Sequence, residues 1–440
     1  MPAPLVRIET SDILPQEADV VVIGGGIIGA CTAYYLARRG VSVVLLEKGQ
    51  IGAEQSSRNW GWCRQQNRDA RELPLATRSL ALWDALPGEI GEDVGFRRCG
   101  LTYLTDDEEQ LATWSAWCDF ARGQGVETHV LSGAALAQRG GVTGKTWRGG
   151  VWSPGDGTAD PSRAAPMFAK GVEKFGGTVV QTCAARGLEA HAGRVGAVIT
   201  EKGVIRTPQV VMAGGAWASS FCRQHGIRFP QATVRSTVVS VAGATDIPDA
   251  VFTPDSAITR RGDGTVTLAI GGRGELDPTL QTLRFAGPFM PMWLKRRKSV
   301  SPGSLQGMCW GHETMVRWVM DQPTPMEKAR ILDPKPSSRV TNETLARARR
   351  VMPGLRDATI AQSWAGYIDS TPDGVPVIGE VPGLPGCLLA AGFSGHGFGI
   401  GPGTGYMIAD MVTGTPSYVD TDQYRLSRFD TGAWGKVAEF

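Results

Sequence analysis

No apolar run in the 440-residue sequence approaches the roughly 20 residues that cross a bilayer. Residues 1–18 hold no apolar core segment, so no secretory leader is expected and a cytoplasmic location is. An excess of one charge is missing as well. The 45 basic and 43 acidic residues leave a formal +2, which gives no reason to expect a nucleic-acid partner. Eight cysteines (Cys31, Cys63, Cys99, Cys118, Cys183, Cys222, Cys309 and Cys387) show neither a CxxC pair nor metal-ligand spacing. Reduced, buried thiols and no metal site are therefore expected. Histidine is scarce, so His129, His191, His225, His312 and His396 are the only imidazoles available as bases.

What the chain does have is glycine, 58 residues of it, concentrated where backbone must approach something closely. The first such place lies between Asp19 and Glu47. An apolar β-branched run, Val20-Val21-Val22-Ile23, reads as a buried parallel strand. The turn Gly24-Gly25-Gly26-Ile27-Ile28-Gly29 follows, then a helix through Ala33, Tyr34, Leu36 and Ala37 that Gly40 can stop. A second strand, Val41 to Leu46, ends on Glu47. Gly24-x-Gly26-x-x-Gly29 thus sits in the strand–turn–helix setting that a dinucleotide fingerprint needs. Gly24 permits the turn, Gly26 admits a pyrophosphate, and Gly29 lets the helix lie against the strand. The helix N-terminus offers amides and a partial positive charge to phosphate. Glu47, about twenty residues beyond the middle glycine, is placed to accept from a ribose diol. A chain of 440 residues exceeds one usual core, so a second domain is expected.

The loop after Glu47 is polar, with Ser56, Ser57, Arg58 and Asn59 before Gly61, and it carries Trp60 and Trp62. Its polar groups suit phosphate oxygens and ring edges; a capped helix start would use Ser56 or Ser57 equally well. Helical spacing covers Leu73 to Leu86, Glu108 to Gln124 and Ser162 to Phe175, with strands at Phe96 to Leu104 and Thr178 to Thr182. Val204 to Gly215 reads as an edge pair that runs into Gly214-Gly215 and Trp217. Thr233 to Val241 and Ala257 to Gly272 alternate as antiparallel strands of the second domain. From about Asp277 to Asn342 no periodicity is legible. Within it, Lys295-Arg296-Arg297-Lys298 follows Phe289-Met290-Pro291-Met292-Trp293, a membrane or partner contact or else a solvated loop. The last informative blocks are Gln362 to Gly379 and Gly392 to Gly403, the second opening a helix whose N-terminus can stabilise a developing anion.

In this order, Val20–Glu47, Ser56–Gly61, Asp160-Pro161, Val210–Trp217, Trp364–Gly379 and Gly392–Gly403 resemble the FAD-dependent glycine oxidase, D-amino acid dehydrogenase and sarcosine oxidase family over nearly the whole chain. The resemblance implies an α/β fold: a Rossmann-type, doubly wound FAD-binding domain interleaved with an α+β substrate domain on a mixed or antiparallel sheet. Residues 17–85, 150–230 and 352–440 would form the first, 86–149 and 231–351 the second. FAD would be held by Gly24, Gly26, Ile27, Ile28, Gly29, Glu47, Lys48, Ser56, Ser57, Arg58, Asn59, Gly61 and Trp62. The later contributors would be Ala185, Ala213, Gly214, Trp217, Gly366, Gly392, Gly395, His396, Gly397, Phe398, Gly399 and Ile400. The implied reaction is two-electron oxidation of a C–N bond in an amino acid or amine, with the imine then hydrolysing.

Two departures from the family pattern bear on the substrate and the electron acceptor. Where relatives carry an arginine for the substrate carboxylate, this chain has Ile368, followed by Asp369. Arg64 then takes over that role, or Asp369 meets an ammonium on another kind of amine; Gln65 and Tyr367 complete the expected catalytic set. Arg64 in an ion pair with Asp69 is the purely structural alternative. Thr265 to Ala269 lacks the lysine that sarcosine-oxidase-like members use toward O₂, and no cysteine or histidine stands where relatives attach FAD covalently. Non-covalent FAD is expected, with a quinone or electron carrier favoured over O₂ as acceptor. A homo-oligomer or a peripheral membrane contact is compatible with this reading. A 2-hydroxy acid dehydrogenase and a flavin subunit of a larger complex remain open beside it.

Overall fold

The computed structural model describes residues 2–432 and Val437. Its first sheet has six strands in the order Val377–Glu380, Cys387–Ala391, Gln209–Met212, Val20–Ile23, Val43–Leu46 and Thr178–Val180. All pair in parallel except Val377–Glu380, an antiparallel edge. Both faces are covered, which is why these strands are apolar throughout. Val20, Val22, Val43 and Leu45 face helices Ile27–Arg38, Ala164–Lys174 and Gly397–Thr413. Val21, Val44 and Leu46 turn the other way, toward a three-stranded sheet of residues 185–206. Gln209–Met212 is central rather than the edge that its sequence suggested, because its neighbours are Val20–Ile23 and the distant Cys387–Ala391.

The second sheet has ten strands and is mixed. Its longest pairing joins Ala232–Ala242 to Thr359–Ser370, with Arg235 opposite Tyr367 and Thr233 opposite Asp369. The strand Thr359–Ser370 therefore belongs to this sheet and not to the dinucleotide-binding segments, where 352–440 had placed it. Gly149–Ser153 likewise pairs with Leu101–Thr105 in the second sheet, across the expected boundary at 150. Helices Glu108–Gly123 and Ser338–Val351 cover this sheet through Trp114, Trp117, Leu345 and Ala348. The stretch without legible periodicity contains short helices, Leu280–Arg284, Ala286–Arg296, Gln306–Cys309 and Pro325–Lys328. Among the described residues no helix is long and apolar enough to cross a membrane.

Candidate active site

The glycine turn is built as its spacing requires. Gly24 has φ +108°, and a Cβ there would sit 2.4 Å from the Ala213 carbonyl oxygen. A Cβ on Gly29 would lie 1.9 Å from the Gly24 carbonyl oxygen, so only hydrogen lets the helix reach the strand. Ser56 closes the turn from outside: the Ile27 amide donates to its Oγ at 2.9 Å. Glu47 accepts from the Gly25 amide at 2.8 Å and the Gly49 amide at 2.7 Å, and burial pushes its carboxyl up. These groups ring a cavity that continues past Ala185, Ala213, Gly214 and Trp217 to Tyr367 and Asp369.

Several residues expected to touch the cofactor are bonded within the protein around the cavity. Lys48 is committed to Glu54 and to the carbonyls of Ala329 and Arg330, with its Nζ 4.9 Å over the Trp217 ring. Ser57 donates to the Glu54 carbonyl. Arg58 is buried, bonded to the carbonyls of Ala53 and Ala365 and to Asp333 at 2.8 Å. Asn59 bridges the Ser56 carbonyl and the Gly61 amide. Trp62 sends its indole N–H to Thr259 and packs on Tyr103 and Phe252 of the second sheet. Gly366 leaves room for Gln55 and Arg58, since a Cβ there would lie 2.2 Å from Gln55 Oε1. Ile27, Ile28 and Ile400 are buried.

At the far end of the cavity, Tyr367 donates its hydroxyl to Asp277 at 2.8 Å, and Asp277 also holds Arg235. Asp369 accepts from the Gly392 amide at 2.6 Å, and burial pushes its carboxyl up to about 6. Gly392 and Gly395 lead into helix Gly397–Thr413, where Phe398 packs on Trp83 and the Gly399 carbonyl accepts from the Trp83 indole. His396 caps that helix start and gives its Nδ1–H to the fully buried Glu72 at 2.8 Å; burial lowers the imidazole pKa although Glu72 opposes this.

Of the residues around Arg64, Gln65 was expected in the catalytic set and Arg68 was not. Gln65 is turned away, its amide on Asp156 and its side chain on Thr77. Arg64 reaches the Gln66 carbonyl, and its own carbonyl receives Nε of Arg68. Arg68 is 3% exposed, and its Nη1 is buried without a partner. Burial, followed by the charge of Arg64, pulls its pKa down to about 10. Asp69 pairs with Arg71, Glu72 bonds His396 through one oxygen and leaves Oε1 unpartnered, and Asp156 takes the Gln65 and Gln66 amides; the charges of Glu72 and Asp156 partly oppose the lowering at Arg68. Among the described residues neither Arg64 nor Arg68 is in an ion pair. Two adjacent guanidiniums that no carboxylate pairs directly leave room for an anion, although the Glu72 and Asp156 charges lie near Arg68. No motif marks Arg68; only the fate of the surrounding acids does.

A parallel sheet whose glycine turn, helix N-terminus and strand-end carboxylate ring one cavity defines a dinucleotide-binding protein, here closed over by a second, mixed sheet. Gly24, Gly26 and the strand-end Glu47 line the cavity beside the N-terminus of helix Ile27–Arg38, which fits the adenosine diphosphate half of FAD. The chain belongs to the DAO family of FAD-dependent oxidoreductases, whose model matches residues 19–411. Mitochondrial sarcosine dehydrogenase of Mus musculus is 27% identical over 95% of this chain, which spans only 42% of that relative's length. Glycine oxidase of Geobacillus kaustophilus is 26% identical, covering 94% of this chain and 98% of its own. The structure of L-amino acid deaminase from Proteus myxofaciens in complex with anthranilate has a TM-score of 0.92 at 27% identity, covering 98% of this chain and 97% of that one.

Proposed function

We propose that this chain oxidises the C–N bond of an amino acid, with non-covalently held FAD and an acceptor other than O₂. The observation that carries the amino acid over a simple amine is the Arg64–Arg68 pair. It supplies the carboxylate fork that Ile368 denies the chain. FAD, when bound, supplies the acceptor for a hydride leaving the carbon next to nitrogen. The protein's own part is orientation and electrostatics. Arg64 and Arg68 would fix the carboxylate, and the amides opening helix Gly397–Thr413 favour negative charge beside them. The neutral amine is the reacting form, so expulsion of water around it matters more than a strong base. The missing lysine between Thr265 and Ala269 supports a dehydrogenase.

One observation favours a second reading, oxidation of a 2-hydroxy acid. The His396–Glu72 pair is the kind of oriented imidazole that can take a hydroxyl proton. An anaerobic screen of flavin bleaching with amino acids, N-alkyl amino acids, amines and 2-hydroxy acids, each then exposed to air, separates the two. Bleaching by amino acids with slow recovery in air is the expected result. Bleaching by hydroxy acids alone would sink the C–N assignment, and rapid recovery in air would sink the dehydrogenase.

A further inference from the structure

The segment that the sequence left unread carries the largest surface anomaly of the molecule. Of seventeen exposed large apolar side chains among the described residues, nine lie between Leu280 and Val319. Helix Ala286–Arg296, mostly Phe, Met, Pro, Trp and Leu, has no buried residue. Leu283 is 72% exposed, and Met290, Trp293 and Leu294 are about half exposed. Spacings of three and four place Met290, Trp293 and Leu294 on one side of that helix. Exposed apolar area of this extent on one segment marks a contact surface.

The charge says what the contact is with. From Pro278 to His312 there is no aspartate or glutamate, although the chain has 43 acidic residues. The same span carries Arg284, Lys295, Arg296, Arg297 and Lys298, four of them at the C-terminal end of the apolar helix. A second copy meeting this face about a two-fold axis would set those cations against themselves. The apolar groups stand outward on short helices and their connections. A tryptophan at the border between an apolar helix face and a basic cluster is the arrangement of an interfacial anchor.

We propose that residues 280–309 dock the protein on an anionic lipid bilayer, with Met290, Trp293 and Leu294 entering the acyl boundary and Arg297 and Lys298 meeting the headgroups. The docking is peripheral and stands whatever the substrate. It would also bring the chain to lipid-dissolved quinones, the acceptor class that a dehydrogenase of this kind needs.

The test is co-sedimentation of the flavin-loaded protein with vesicles of phosphatidylcholine alone or mixed with phosphatidylglycerol. Binding to the mixed vesicles, several-fold above the neutral ones and falling with added salt, is expected. Arg297→Glu with Lys298→Glu should weaken it by at least about tenfold, as loss of two surface cations implies. Trp293→Ser with Leu294→Ser should weaken it at every salt concentration. Both variants should keep their flavin and their dye-coupled turnover, which shows that they are folded. Equal binding to neutral and anionic vesicles, or unchanged binding by the charge-reversal variant, would overturn the proposal. So would a failure to sediment together with a doubled mass in solution that Trp293→Ser abolishes, because the face would then belong to a dimer.

Discussion

Arg68 owes its interest to what it is not paired with. A buried guanidinium without a carboxylate costs stability, since desolvation is not repaid. Replacing it with the apolar, similarly long methionine removes that cost. Arg68→Met is therefore expected to hold or raise the melting temperature, whereas a structural arginine would lower it. The same change should raise KM for the amino acid substrate by roughly 30-fold or more, since losing a charge-assisted bond to a carboxylate costs about 2 kcal/mol or more. An amine lacking the carboxylate should be oxidised equally by both forms. Steady-state kinetics on the pair of substrates, with thermal melts alongside, check all three outcomes. A large drop in stability with KM unchanged would return Arg68 to a structural role. Arg64 was singled out from the sequence because it stands in the loop that follows Glu47. Arg68 was not, because its free Nη1 depends on how Asp69, Glu72 and Asp156 bond to Arg71, His396 and backbone amides.

Among the elements, the chain from Pro325 to Asp333 acts as a strap across the cavity, to which Met326 contributes directly. Glu327 and Arg186 pair through two hydrogen bonds of 2.9 Å, and Arg330 pairs with Glu201. Burial pushes the Glu327 carboxyl up, but the bonds from Arg186 and Thr324 outweigh it and hold the group down at about 2. A carboxyl lowered by folding stabilises the strap above its unfolded pKa near 4.5 and loses that contribution as pH falls toward 2. FAD release, followed by the recovery of free-flavin fluorescence, should accelerate as pH drops through this window. Glu327→Gln should release FAD faster at neutral pH and show a flatter pH dependence. A wild-type rate that does not change between pH 6 and pH 3 would refute the strap. Elements of this sort were poorly legible. Much of the glycine turn is read from local spacing because contacts such as Gly24 to Gly29 and Ile27 to Ser56 lie within thirty residues of sequence. Gln209–Met212 was misread as an edge, and Thr359–Ser370 was put in the wrong domain, because their partners lie far away in the chain. The strap had no signal at all: its partners Lys48, Arg186 and Glu201 lie more than a hundred residues away in the chain.

At the scale of the molecule, the cavity is assembled from five remote parts of the chain: residues 23–56 around the glycine turn, Cys183 and Ala185, the strand end from Met212 to Phe221, Met326, and the strand bearing Tyr367 and Asp369. No one of these closes without the others, so filling the cavity should tie the two sheets into one cooperative unit. A ligand that binds only the folded state adds about 2.7 kcal/mol of stability at a hundredfold excess over its Kd. The flavin-free protein should therefore melt well below the FAD-loaded form, and its melting temperature should climb with FAD concentration. ADP should give part of that shift, because the Gly24–Gly29 turn and Glu47 fit the adenosine diphosphate half alone. Gly29→Ala should abolish the response to both ligands, since its Cβ would fall 1.9 Å from the Gly24 carbonyl oxygen and force the helix off the strand. A shift with FAD but none with ADP would move the main binding contribution from the glycine turn to the far end of the cavity, near Tyr367 and Asp369. No shift with either ligand in the wild-type protein would mean that this cavity does not hold the cofactor.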